Sequence, residues 1–254
     1  MTSSEVLVYG ATSAGVCAAV AAAEAGAHVV LLEPGRHVGG MTSGGLGYTD
    51  IGDSRVLGGF AARFRADVGQ WYGVPAGHYV GPEPHVAEAI FLRWLETAGV
   101  DVRFKHELRA AQVRDGAIES VAVQNKNGEE SFTAATFVDA SYEGDLLAAA
   151  GVSHAVGRED RSLYGEEFAG RRELIPSMHS MPPWISPFEG NPAPGEMAPL
   201  LPQIKPGPLA DVGAGDGGVM AYGYRVCLTT ADDRLPFEKR DGYDENYWEL
   251  ARRL

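Results

Sequence analysis

The residues whose types and spacing suggest chemistry lie in a glycine-rich turn, Gly10 to Gly15, near the start of the chain. An apolar stretch from Glu5 to Tyr9 precedes the turn and predicts a buried strand, and an alanine-rich stretch after it predicts a helix from Ala14 to about Ala25. The free N–H groups and the positive dipole end of such a helix can hold a pyrophosphate. A second strand is predicted over His28 to Leu32. It ends at Glu33, where a carboxylate would accept hydrogen bonds from a ribose.

The order strand, glycine turn, helix, strand and acid is the βαβ layout of a dinucleotide-binding site. We expect Gly10, Gly15 and the N–H groups of Ser13 and Ala14 to hold the pyrophosphate. The pattern departs from the usual fingerprint because Thr12 stands where the second glycine is expected. Two other interpretations stay open: the turn serves only to pack a Rossmann-like fold, and Ser13 serves only as a helix cap.

A second glycine-rich loop follows Glu33 and has the sequence GGMTSGG over residues 39–45. Simple NAD-dependent dehydrogenases have no need of a loop here. Flavoproteins do, because backbone must pass close to the ribityl chain and the flavin ring. With this loop the chain resembles the bacterial FAD-dependent oxidoreductases of the glutathione-reductase-like superfamily. The segments Phe137–Ala148, Gly157–Glu166 and Ala221–Thr230 also resemble segments of that family.

The resemblance implies that FAD is the cofactor and that Gly39 to Thr42 line its ribityl and pyrophosphate region. Arg36 would stack near the adenine or reach a phosphate, or it is an ordinary solvated arginine. The resemblance places the backbone near Leu108 beside the adenine. Asp145 either reaches a flavin phosphate or caps a helix over Leu146–Ala150. The predicted cofactor-binding residues are Gly10, Thr12, Ser13, Ala14, Gly15, Glu33, Pro34, Arg36, Gly39, Gly40, Met41, Thr42, Leu108, Ala140, Ser141 and Asp145.

The flavin is expected to be bound non-covalently, because residues 41–47 contain no histidine or cysteine and His37 precedes the double glycine. No catalytic constellation stands out, which is typical of an enzyme whose cofactor carries the chemistry. Several groups are considered on the substrate side, although a structural role is favoured for each: Tyr48, Arg158, Tyr222 and Arg225, with His154 and His179 as weaker candidates for a base.

The composition of the chain limits which binding partners and which cellular compartment are expected. The chain has 254 residues and a formal charge of −13, which argues against binding nucleic acid or an anionic membrane surface. Its cysteines, Cys17 and Cys227, form no C-x-x-C pair, so neither a disulfide framework nor a metal site is expected. No signal peptide and no membrane-length apolar run is found. We therefore expect a cytoplasmic protein with a small-molecule substrate, and the sequence does not predict its oligomeric state.

The remaining patterns predict the fold. Helices are expected over Gly59–Tyr72 and Pro84–Ala98, followed by a short strand over Val100–Phe104. Tight-turn signals at Asp115-Gly116 and Asn127-Gly128 predict a β-meander over residues 109–139. The predicted fold class is α/β: a Rossmann-like FAD/NAD(P)-binding domain, with a parallel sheet and a β-meander, plus part of a substrate domain.

We expect the FAD-binding domain to cover residues 1–165 and an incomplete substrate or cap region to cover 166–254. A proline-rich stretch at 171–210 predicts irregular structure, either a flexible linker or, as we favour, an excursion over a substrate region. A strand is predicted over Met220–Thr230 and an amphipathic helix over Tyr243–Leu254.

Family members are about twice as long, and no segment here resembles their C-terminal half. The chain is therefore expected to be a fragment, a truncated product or a reduced variant. The leading prediction is an oxidoreductase that transfers a hydride between a small organic substrate and non-covalently bound FAD. The alternatives are a truncated, non-catalytic flavoprotein fragment and an NAD(P)-binding dehydrogenase.

Overall fold

A computed structural model describes residues 2–48, 52–75, 80–173, 181–182, 184–219 and 226–254. The described residues form two compact units, one within 1–154 and 223–228 and the other within 155–222 and 229–254. The first unit contains a six-stranded sheet. Its strand order is β3 (Asp101–Phe104), β2 (Val29–Glu33), β1 (Thr2–Tyr9), β6 (Gly128–Asp139), β5 (Ala117–Asn125), β4 (Glu107–Arg114). The sheet begins with a parallel βαβ unit and continues into an antiparallel meander, so the predicted α/β fold with a Rossmann-like start is confirmed.

The βαβ unit comprises β1 (Thr2–Tyr9), α1 (Ser13–Glu24) and β2 (Val29–Glu33). Strands β1 and β2 pair in parallel from Val6 with Val29 to Tyr9 with Leu32. The apolar residues of both strands are buried, except Val6, which is partly buried, as expected for strands that are covered on two faces. Their carboxyl ends therefore lie side by side, which brings Glu33 next to the glycine turn that follows β1.

Two further helices belong to the same core cluster as α1: α3 (Pro84–Ala98) packs against α1, and α2 (Gly59–Tyr72) packs against α3. The predicted bounds of both helices are confirmed. Each ends at a glycine with a left-handed backbone, Gly73 at φ 64° and Gly99 at φ 73°. Their apolar faces bring together an aromatic cluster in which Phe64 stacks on Phe91 with ring centroids 4.9 Å apart.

The meander comprises β4 (Glu107–Arg114), β5 (Ala117–Asn125) and β6 (Gly128–Asp139), and β3 (Asp101–Phe104) lies at the opposite edge of the sheet. Strand β6 has two roles. Its first residues pair antiparallel with β5, and the stretch from Phe132 to Asp139 pairs in parallel with β1. One continuous strand thus closes the meander and returns to the centre of the sheet, beside the glycine turn.

The short helices are α4 (Asp145–Ala149) in the first unit, and α5 (Arg161–Tyr164) and α6 (Glu249–Arg252) in the second. The described part of the proline-rich stretch contains turns and one isolated bridge between Phe188 and Leu200, so irregular structure is confirmed there. Within the described residues, no helix is long and apolar enough to cross a membrane.

Two predictions for the C-terminal region are wrong in the described residues. Val226 to Thr230 form no strand, and the rest of the predicted strand lies outside the described residues. The helix predicted over Tyr243–Leu254 is reduced to the single turn α6. Asp244 accepts a hydrogen bond from the N–H of Asn246 at 2.9 Å, a local contact that competes with helix formation.

The packing around α1 predicts opposite effects for two helical glycines. A Cβ at Gly15 would lie 1.9 Å from the carbonyl oxygen of Gly10, whereas a Cβ at Gly69 in α2 would meet only Val74, at 3.5 Å. Gly15→Ala should therefore destabilise the fold by about 1–3 kcal/mol through overpacking. Gly69→Ala should stabilise it by roughly 0.5–1 kcal/mol because glycine lowers helix stability. Urea unfolding of both variants measures the difference, and equal midpoints would contradict this account of the turn.

Candidate functional site

The hydroxyl of Thr12 fixes the start of α1. Thr12 is the N-cap, and its Oγ1 accepts a hydrogen bond from the N–H of Gly15 at 3.2 Å. The same hydroxyl donates to the carbonyl of Ala140, at the end of β6, at 2.8 Å. Thr12 also forms a parallel bridge with Gly39 in the second glycine-rich loop. The residue that replaces a glycine of the usual fingerprint thus joins three chain segments, and it takes the capping role considered for Ser13.

Glu33 ties the end of β2 to the glycine turn. Its Oε2 accepts from the N–H of Ala11 at 2.7 Å, and its Oε1 accepts from the N–H of Gly35 at 2.6 Å. A carboxylate has about four lone-pair positions, so each oxygen can accept one more hydrogen bond. Glu33 is half-buried, and its neighbours Pro34 and Arg36 are exposed. Within the described part of the chain, Arg36 forms no ion pair.

The glycines of the first turn are required by packing. Gly10 has φ +92°, and a Cβ there would lie 2.8 Å from the backbone nitrogen of Ser141. Gly15 crosses the carbonyl of Gly10 so closely that no Cβ fits between them. The turn, the start of α1 and the end of β6 are therefore in direct contact, and the predicted residues Ala140 and Ser141 lie beside the turn.

The second glycine-rich loop lies against both α1 and α3. The N–H of Gly39 donates to the carbonyl of Ala11 at 2.7 Å, and Thr42 Oγ1 donates to Ser13 Oγ at 3.3 Å. Gly39 has φ +97°, and a Cβ there would lie 2.5 Å from the ring of Phe91. The loop is thus held at the N-terminus of α1.

Tyr142 is a site residue that the sequence reasoning did not single out. Its hydroxyl accepts a hydrogen bond from the N–H of Met41 at 2.7 Å. A Cβ at Gly40, where φ is +53°, would lie 2.2 Å from that hydroxyl. The nearest neighbour of the second glycine in the loop is therefore this phenol. Its only sequence signal was membership of the family-like segment Phe137–Ala148.

Asp139 organises the chain after β6. One of its oxygens accepts from the N–H and the hydroxyl of Ser141, and the other accepts from the N–H of Leu147 in α4 at 2.8 Å. The capping role considered for Asp145 thus falls to Asp139, together with Ser141, whose hydroxyl accepts from the N–H of Asp145. Partial burial and the nearby carboxylates of Glu143 and Asp139 raise the pKa of Asp145.

Leu108 is linked by a hydrogen bond to Tyr9, the last residue of β1. The backbone N–H of Leu108 donates to the hydroxyl of Tyr9, at the end of β1, at 3.1 Å. Burial is the main cause that raises the pKa of the Tyr9 phenol, and the carboxylates of Asp145 and Glu33 add to it. Tyr9 therefore stays protonated at neutral pH and connects the first strand of the sheet to β4.

Three of the groups considered for the substrate side lie in the described residues, and each has contacts of its own. Tyr48 is exposed and its ring lies against Gly81, and His154 Nδ1 lies 2.9 Å from the carbonyl of Val152. Arg158 forms a two-point ion pair with Asp216, which lowers the pKa of that carboxyl to about 2. This pairing supports the structural role favoured for Arg158. The remaining candidates lie outside the described residues: Tyr222, Arg225 and His179.

The donor set at the N-terminus of α1 fits a dinucleotide cofactor such as FAD. The first N–H groups of a helix have no intrahelical acceptor, and Thr12 satisfies only the one on Gly15. The N–H groups of Ser13 and Ala14 are left for a ligand, and Ala14 is exposed. An anion there would also face the positive end of the helix dipole. Glu33 and the loop at 39–42 flank this position, so the sugar and phosphate parts of a dinucleotide both find complementary groups.

Substitutions at Thr12 test the role of its hydroxyl. Thr12→Val keeps the shape of the side chain and removes the cap, so it should cost about 1–2 kcal/mol of stability. It also leaves the carbonyl of Ala140 without its side-chain donor. Thr12→Ser keeps the hydroxyl and is the matched control. Thermal unfolding of the three proteins should show a clear loss for valine and a small change for serine. A valine variant as stable as the wild type, beside a serine variant that loses stability, would show that the methyl group, and not the hydroxyl, matters.

Structural neighbours include several flavin enzymes, each with low sequence identity. The myxobacterial FAD-dependent halogenase CndH is 20% identical, with a TM-score of 0.40, over 56% of this chain and 38% of its own. A geranylgeranyl bacteriochlorophyll reductase-like protein from Thermoplasma acidophilum is 15% identical, with a TM-score of 0.43, over 60% of this chain and 43% of its own. The anhydrotetracycline hydroxylase OxyS from Streptomyces rimosus is 15% identical, with a TM-score of 0.43, over 63% of this chain and 38% of its own. The chain thus spans less than half the length of these proteins.

A search among curated proteins finds no match. The comparison with protein families does find one, and it covers nearly the whole chain. The model described as FAD dependent oxidoreductase matches residues 5–254, which include the glycine turn, Glu33, the second glycine-rich loop and the segment after β6. The chain belongs to the FAD-dependent oxidoreductase family.

Proposed function

We propose that this protein binds FAD non-covalently across the N-terminus of α1 and uses it to oxidise or reduce a small organic substrate. The observation that carries the proposal is the junction at Thr12. There the free N–H groups of α1, the carboxylate of Glu33 and the loop at 39–42 converge within one network of hydrogen bonds. Family membership supports FAD as the cofactor.

Each part of the junction is assigned a part of the cofactor. The N–H groups of Ser13 and Ala14 bind the pyrophosphate, because helix geometry leaves them without an acceptor. Glu33 accepts hydrogen bonds from the adenosine ribose through the lone pairs that its two backbone contacts leave available. The loop from Gly39 to Thr42 supports the ribityl region.

Hydrogen-bond donors in direct contact with the cofactor must hold it, because the overall negative charge of the chain repels an anionic cofactor. The chain carries a formal charge of −13, the carboxylate of Asp139 ends β6, and those of Glu143 and Asp145 follow it. A pyrophosphate is itself anionic, so only groups in direct contact can offset this repulsion. The N–H groups and dipole end of α1 provide that contact.

When bound, the flavin would supply hydride acceptance or donation at its N5 atom. The residues of the chain bind and orient the cofactor, and no side chain here is assigned a proton-transfer step. We further propose that the cofactor-binding domain extends over residues 1–165 and that 166–254 contribute part of a substrate region. A small-molecule substrate is in keeping with the family.

The cofactor prediction can be tested directly. The purified chain, incubated with FAD and freed of excess, should show flavin absorbance in the visible range. Acid precipitation should then release all of the flavin into the supernatant, because residues 41–47 offer no histidine or cysteine for a covalent link. Flavin that stays on the pellet would contradict non-covalent binding. A chain that takes up NAD and no FAD would favour the dehydrogenase alternative, since the first turn and Glu33 would suit either cofactor.

Substitutions of Glu33 test the ribose contact. Glu33→Ala should weaken FAD binding by about 1–3 kcal/mol, because polar partners lose their acceptor. Glu33→Gln should lose less, since its amide oxygen still accepts one hydrogen bond. Both variants also disturb the contacts with Ala11 and Gly35, so unfolding must be measured beside the dissociation constant.

Glu24→Gln is the control, because Glu24 is an exposed carboxylate in α1 that pairs with Arg63 and lies at the far end of the helix. It should leave FAD affinity unchanged. If Glu33→Ala also bound FAD as the wild type does, Glu33 would not be the ribose ligand.

A further inference from the structure

The side chain of Tyr142 contacts the loop at 39–42 that the proposed function assigns to the cofactor. Tyr142 follows Ala140 and Ser141, which contact the first glycine turn, and its hydroxyl reaches the N–H of Met41 in the second glycine-rich loop. The side chain therefore spans from the end of β6 to the loop. Thr12 contacts both of these segments, because its hydroxyl donates to Ala140 and its backbone bridges to Gly39.

The phenol lies against the backbone of the loop. A Cβ at Gly40 would be 2.2 Å from the Tyr142 hydroxyl, 2.9 Å from Cζ and 3.1 Å from Cε2. The hydroxyl and one ring edge thus fill the space beside the glycine that was predicted to give the cofactor access. The same face of the loop cannot contact both this ring and a ribityl chain.

The hydrogen bond between the N–H of Met41 and the Tyr142 hydroxyl is a second contact that a cofactor at this loop would have to displace. A backbone N–H forms one strong hydrogen bond, and the N–H of Met41 is 2.7 Å from the Tyr142 oxygen. A cofactor oxygen that binds this N–H must replace the phenol. The exchange is feasible because Tyr142 is 51% exposed and a neutral hydrogen bond contributes only about 1 kcal/mol net.

We propose that Tyr142 closes off the loop at 39–42 in the free protein and turns away when the cofactor takes its place at Met41. This inference rests on the proposed function, because it assumes that FAD uses the loop at 39–42. The closed and open positions form a two-state equilibrium. The apparent affinity for FAD is then lower than the intrinsic affinity by the open fraction.

The substitution Tyr142→Phe shows whether Tyr142 competes with FAD for the N–H of Met41 or instead supports the bound cofactor. The variant keeps the ring and removes the oxygen that holds Met41, so the open fraction should rise. FAD should bind on the order of threefold to tenfold more tightly, the factor that corresponds to one net hydrogen bond, and the gain should appear in the association rate. A tyrosine that supports the bound cofactor would give the opposite sign. Tyr164→Phe, at an exposed tyrosine in the second unit, is the matched control and should change neither quantity.

Hydrogen exchange provides a measurement that needs no cofactor. In the free wild type, the amide of Met41 should be protected by Tyr142, and Tyr142→Phe should remove that protection while leaving the amide of Gly39, which donates to Ala11, unchanged. Equal exchange at Met41 in both proteins would overturn the closed state.

The outcomes distinguish this inference from the proposed function. Tighter FAD binding by Tyr142→Phe, with faster association, supports both. Unchanged or weaker binding by the variant, beside clear binding by the wild type, overturns the competition and leaves the proposed function standing. Absence of FAD binding in wild type, variant and control overturns the proposed function, and the inference with it.

Discussion

The hydroxyl of Thr12 is the interaction on which the candidate site depends. It caps α1 through Gly15 and donates to Ala140, so one oxygen fixes both the start of the helix and the end of β6. The backbone of the same residue pairs with Gly39. Three segments that are far apart in the sequence therefore meet at one point, and their relative positions are set before any ligand binds. Preorganisation of this kind lowers the cost of ordering a binding site.

This junction also explains why the glycines lie where they do. Gly10 and Gly15 allow the turn to pack closely against the start of α1, and Gly39 allows the loop to lie against Phe91. These demands come from packing within the protein, and they leave the N–H groups at the start of α1 for a ligand. An acidic chain can bind an anionic cofactor in this way, because the favourable contacts are short-range and the repulsion from distant carboxylates is screened by salt.

Much of the fold could be predicted from local sequence signals. The bounds of α2 and α3 were predictable because Gly73 and Gly99 mark their C-terminal ends and Pro84 marks the start of α3. The role of Tyr142 could not be predicted, because its contact with Met41 joins residues 101 positions apart in the sequence. The helix predicted over Tyr243–Leu254 was wrong for a different, local reason. An amphipathic pattern favours a helix there, but the hydrogen bond from the N–H of Asn246 to Asp244 competes with it, and a single helical turn forms.

The central claim is that FAD binds at the junction formed by the first turn of α1, Glu33 and the loop at 39–42. The most direct measurement is a titration of the isotopically labelled protein with FAD, in which the backbone amide signals of individual residues are followed by NMR. The account predicts saturable shifts concentrated at Ser13, Ala14, Gly35 and Met41, with little change at exposed amides of the meander such as Asp115. Saturable shifts concentrated elsewhere, or none at all, would contradict it.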